Sequence, residues 1–92
     1  MNQPEIIVYA RARFSPDAQR TRDRLLELDL SYVEHDIETD VVAGEALEEL
    51  TGVRRVPTVV IGDRVLIEPS TEELDVALRD AGFTTPPSRR EQ

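Results

Sequence analysis

Residues 57–69 read PTVVIGDRVLIEP, two short apolar runs separated by Gly62-Asp63. Runs of this kind on either side of a Gly-Asp pair specify a β-hairpin, because glycine and aspartate tolerate the backbone angles of a tight two-residue turn. A 92-residue chain buries a smaller fraction of its surface than a large domain does, so the hairpin must sit within an efficient two- or three-layer core. The other apolar segments show what supplies the layers. EIIVYA (5–10) is a nearly continuous apolar run rich in β-branched residues, the pattern of a central strand covered on both faces. SPDAQRTRDRLLELDL then opens with Ser15 at an N-cap, Pro16 at the first helical position and Asp17 in the first turn, all favourable to helix initiation. Ala18, Thr21, Leu25 and Leu28 follow on one helical face. YVEHDI (32–37) alternates Val33, His35 and Ile37 with polar neighbours and reads as a half-buried strand. A second helix over about 40–51 groups Ala43, Ala46, Leu47 and Leu50, with Gly52 as a left-handed C-cap. After the hairpin, Ser70 and Glu73 have capping-box spacing, and Leu74, Ala77, Leu78 and Ala81 share a face.

The order β-α-β-α-β-β-α, a parallel pair joined by a helix and then a hairpin, fits an α/β thioredoxin fold with a mixed four-stranded sheet and helices on both faces. A single domain over 1–83 is expected. TTPPSRREQ (84–92) is polar, proline-containing and aperiodic, and reads as a flexible C-terminal tail.

Composition removes whole classes of function. The formal charge of -8 opposes DNA, RNA and anionic membrane, which need a basic face. No apolar run approaches the roughly 18 residues of a membrane span, and no secretory signal is evident; a cytoplasmic monomer is the expectation. There is no cysteine, so disulfides, thiolate metal sites and cysteine nucleophiles are absent. One histidine argues against zinc or another metal, and His35, mid-strand, reads as a partly buried strand residue. All 11 basic residues are arginine. Arg11, Arg13, Arg20, Arg22 and Arg24 crowd one region and Arg54 and Arg55 another, an anion-binding corner if the fold gathers them and otherwise solvated partners of acidic neighbours.

Strand, FSPDA, helix, then RRVPTVVIGDRVLIEPSTEEL is similar to the glutaredoxins over roughly residues 5–80. In that family a C-P-x-C or C-P-x-S motif begins the first helix and a T-V-P-like segment precedes the hairpin. The resemblance puts Ser15 at the nucleophilic cysteine, Ala18 at the second cysteine, and Phe14 at the aromatic residue before the motif; the loop from Tyr9 to Ser15 is one residue longer. It implies a link to thiol-disulfide redox homeostasis, with a departure at both sulfur positions. Thiol exchange needs a thiolate, so neither dithiol nor monothiol activity is expected of this polypeptide; one serine-for-cysteine exchange in a C-P-D-A motif accounts for the difference. The resemblance also implies a cis Val56-Pro57 bond that aims the preceding backbone at a ligand, and a groove for glutathione or a protein or peptide thiol substrate. Arg11, Arg13, Arg54 or Arg55 then neutralise the glycine carboxylate, Ser70 and Thr71 present N–H groups to the γ-glutamyl carboxylate, and Glu68 accepts from the ammonium. Two other readings stand beside this one: a non-enzymatic binding or adaptor module, and a domain like the N-terminal domain of glutathione transferases, with Ser15 donating to the glutathione thiolate.

Overall fold

A computed structural model describes residues 3–13 and 15–84. The central strand β1 (Ile6–Ala10) leads into helix α1 (Pro16–Glu27), strand β2 (Val33–Asp36), helix α2 (Val41–Thr51), the hairpin strands β3 (Thr58–Ile61) and β4 (Arg64–Ile67), and helix α3 (Thr71–Asp80). The sheet order is β2-β1-β3-β4, with β1 parallel to β2 and antiparallel to β3. This is the expected α/β thioredoxin fold.

The continuous apolar character of β1 follows from its position. Ile6, Val8 and Ala10 enter a core with Ala18 and Leu25 of α1, Val59 and Ile61 of β3, and Leu74, Ala77 and Leu78 of α3. Tyr9 points the other way, into a smaller core with Ile37, Ala43 and Leu47. Each face of β1 is thus closed by helix, α1 and α3 on one side and α2 on the other. Phe83, just past α3, completes the larger core. Gly62 turns the hairpin at φ 63 and Gly52 ends α2 at φ 84, both left-handed positions that favour glycine. The expected tail lies, from residue 85, outside the described residues.

Two amphipathic expectations need correction. In β2, Val33, His35 and Ile37 do lie on the α2 side, since Val33 pairs with Ile7 and His35 with Tyr9. Only Ile37 is covered by α2, however; Val33, at the far end of an edge strand, is 41% exposed. Tyr32, on the opposite face, packs against the larger core. In α2 the buried residues are Ala43, Gly44 and Leu47, capped by Asp40, whose carboxylate accepts from the Ala43 N–H. Ala46 is exposed and Leu50 is 48% exposed. A lone helix covering one end of a half-sheet buries a narrower stripe than a helix between two neighbours.

Candidate functional site

The fold gathers the expected site residues along one sheet edge. β1 and β2 both end there, α1 and α3 both begin there, and the antiparallel hairpin brings the start of β3 and the end of β4 to the same edge. The Glu68 N–H donates to the Pro57 carbonyl at 2.7 Å, tying the approach to α3 to the approach to β3.

Ser15 caps α1 in extended conformation, its Oγ accepting from the Ala18 N–H at 3.4 Å and its carbonyl from the Gln19 N–H at 2.9 Å. Pro16 follows in the first turn, as the missing N–H allows. Ala18 is buried in the core one turn on, so the two positions face different surroundings: Ser15 the rim, Ala18 the interior. Phe14 lies outside the described residues. The Val56-Pro57 bond is cis. Pro57 is fully buried, and the Thr58 hydroxyl donates to the Arg55 carbonyl at 2.7 Å, holding the turn before it. Among the described residues, neither the N–H nor the carbonyl of Val56 has a hydrogen-bond partner. A donor and an acceptor held at a half-buried position and left open are suited to an incoming backbone.

The start of α3 is a complete capping box. Ser70 Oγ accepts from the Glu73 N–H at 3.1 Å, and Glu73 Oε1 accepts from the Ser70 N–H at 2.8 Å. A ligand carboxylate arriving at Ser70 therefore displaces Glu73, whereas Thr71 lies one residue further into the turn. Glu68 is exposed, has φ 51, and faces Arg55 at 3.7 Å.

Each of the four expected anion-binding arginines already faces a carboxylate. Arg11 and Arg13 share Glu38 at 3.5 and 2.9 Å, Arg54 holds Glu48 at 2.8 Å, and Arg55 faces Glu68. Of the acidic partners, Glu68 was singled out from sequence, for a ligand ammonium, and Glu38 and Glu48 were not. Glu38 had a usable signal, since parallel pairing of β1 with β2 puts the residues after each strand side by side. Gly44 carried none: a Cβ there would stand 2.7 Å from an Arg54 guanidinium nitrogen, so the glycine makes room for the arginine. The larger arginine cluster is dispersed. Arg20 pairs with Asp17, Arg22 with Glu34 of β2, and Arg24 with Asp75 of α3, and the hydrogen bonds to Glu34 and Asp75 lead the causes that raise the pKa of Arg22 and Arg24. Their place is structural. His35 packs its ring against Tyr9 at 5.5 Å, away from Ser15 on the α2 face. Among the described residues no group of side chains is arranged to hold a metal, and no helix is long and apolar enough to cross a membrane.

Comparison with known proteins matches this architecture. A thioredoxin-like protein, solved in a single-site mutant form, superposes with a TM-score of 0.75 at 28% identity, over 82% of this chain and 95% of that one. The glutaredoxin of Archaeoglobus fulgidus superposes at 0.73 and 22% identity, over 83% and 87%. A maleylacetoacetate isomerase from Anaeromyxobacter dehalogenans 2CP-1, with bound GSH in its active site, shares the fold at 0.51 and 20% identity; it covers 97% of this chain, which spans 44% of the enzyme. Comparison with curated proteins gives no match. The fold is that of the thioredoxin-like proteins. The glutaredoxin family model matches residues 6–66, more than half of the chain, and the chain belongs to the glutaredoxin family, though it contains no cysteine.

Proposed function

We propose that this chain is a glutaredoxin-family domain that binds glutathione, or the backbone of a peptide, without exchanging disulfides. The single observation that carries the reading is the open backbone of Val56 beside buried Pro57, at the edge where α1 and α3 begin. Disulfide exchange by the chain's own side chains is excluded by its composition, because a serine oxygen neither forms nor exchanges a disulfide. What remains is recognition: Val56 pairs with the ligand backbone, Arg55 meets one carboxylate and the α3 N-terminus the other, and Glu68 accepts from the ammonium. The relative with bound GSH supports a thiol tripeptide as the ligand to try first.

A second reading has its own observation. Arg11, Arg13, Arg54 and Arg55 are all engaged by the chain's own carboxylates, as they would be in an adaptor that keeps the fold and has given up the anion. A transferase-like use of Ser15 requires its hydroxyl proton to reach a bound thiolate; the N-cap bond uses only its acceptor capacity.

Titration of isotope-labelled protein with reduced glutathione separates these readings. Saturable amide shifts at Val56, Ser70 and Thr71, weakened roughly tenfold by Arg55→Ala, are expected. The Ser15→Cys variant, run in parallel, should show a thiol pKa below the ordinary ~8.5, as a helix N-terminus lowers it. Flat amides in both proteins exclude glutathione and leave the adaptor reading.

A further inference from the structure

The two edges of the sheet differ. β2 carries Glu34, held by Arg22, and Asp36 along its length, charges that guard that edge. Among the described residues β4 pairs only with β3, and its sequence RVLI contains no proline, no acid and one charge, at its first position. Ile67 is 41% exposed, and beside it Leu66, Pro69 and Val76 of α3, itself 42% exposed, line a groove of about 410 Å³ that Arg64, Glu72 and Glu73 also border. An unguarded apolar edge is a template for another strand.

The charges along the edge determine which strand fits. Arg64 stands at one end of β4 and Glu68 just past the other. A parallel copy would set Arg64 against Arg64. An antiparallel copy sets Arg64, which also holds Asp80 of its own chain, against the partner's Glu68, which also faces Arg55, at both ends, with Val65, Leu66 and Ile67 between them. The helices agree with this arrangement. Arg64 meets Asp80, at the C-terminal end of α3, at 2.8 Å, so α3 runs back along β4, and in the pair the two α3 helices lie antiparallel with their dipoles opposed.

We propose that β4 pairs with β4 of a second copy, forming a two-fold dimer with one continuous sheet and the Val76 groove closed between the two α3 helices. The pairing shares Glu68 with the proposed ligand site but needs no ligand bound there. Sedimentation of the full chain from micromolar to millimolar concentration tests it. The mass is expected to rise from 10.4 kDa to a plateau at twice that value, with concentration-dependent amide shifts at 64–67 and 76. Ile67→Lys should weaken association at least about tenfold, whereas Val42→Lys, on the exposed face of α2, should leave it unchanged; amide spectra of both variants at low concentration establish that they fold. A mass of 10.4 kDa at every concentration, a mass that climbs without a plateau, or equal weakening by both variants overturns the proposal.

Discussion

At Tyr32 the entry to β2 is a titrating contact. The ring packs against the larger core, and the phenol pKa is raised from 10.0, chiefly because burial disfavours the phenolate and then because Glu34 adds a negative neighbour, with Arg22 opposing. A pKa higher in the folded state means the neutral form is favoured by folding; its contribution is fully present below the unfolded value near 10.0 and is lost as pH rises through the folded one. The urea midpoint should therefore fall as pH is raised past about 10, and Tyr32→Phe should reduce that fall. An equal fall in the variant would assign the alkaline transition to other groups. The two helix-capping serines also differ at this scale. The Ser70 hydroxyl accepts at 3.1 Å and its N–H donates back to Glu73 at 2.8 Å, while the Ser15 hydroxyl accepts at 3.4 Å with no return bond among the described residues, so Ser15 is the looser cap.

Between elements, α1 and α3 are joined across the larger core by a two-pronged contact. Arg24 Nε and Nη2 donate to the two oxygens of Asp75 at 2.9 and 2.8 Å, with both side chains 17% exposed. Bidentate geometry and partial burial set this pair apart from the exposed ones, such as Arg20 with Asp17. Asp75→Asn, which keeps the shape and removes the charge, should cost about 1–2 kcal/mol in urea unfolding, while Asp17→Asn should cost well under about 1 kcal/mol; similar costs would show that burial adds nothing to the Arg24 pair. No sequence pattern announces a contact between residues 24 and 75, and the same holds for Arg54 over Gly44. What was legible is local or repetitive: the Ser15 cap with Pro16, the Ser70–Glu73 box, the Gly62 turn, and the double-sided burial of β1. The faces of β2 and α2 were read from periodicity alone. Periodicity finds a stripe but not how far the neighbouring layer extends, and this is why Val33, Ala46 and Leu50 ended at the surface. At the site, the positions of Ser15 and Pro57 were legible from motif order. The carboxylates that engage the arginines were not, since they depend on which chain segments the sheet order brings together.

Over the whole molecule, the formal charge is -8, and its distribution decides how the protein responds to salt. Among the described residues, Arg11, Arg13, Arg20, Arg22, Arg24, Arg54, Arg55 and Arg64 are paired with carboxylates, so their attraction is mostly short-ranged, and in the Arg22 and Arg24 pairs it is partly shielded from solvent. The excess acids are spread more widely. Glu45 and Glu49 stand one turn apart on α2, a like-charge spacing that opposes the helix, and Glu72 and Glu73 add two more in the first turn of α3. Repulsion among such groups acts over several ångströms and is screened once the Debye length falls to about 10 Å at ~0.1 M salt, whereas close pairs lose less. Added sodium chloride should therefore raise the melting temperature from low ionic strength to about 0.3 M, with most of the gain at the lower end. A fall over the same range would mean that the surface ion pairs outweigh the diffuse repulsion. Glu45→Gln/Glu49→Gln should raise the low-salt melting temperature and flatten the salt dependence; if the slope is unchanged, the repulsion lies elsewhere than on α2.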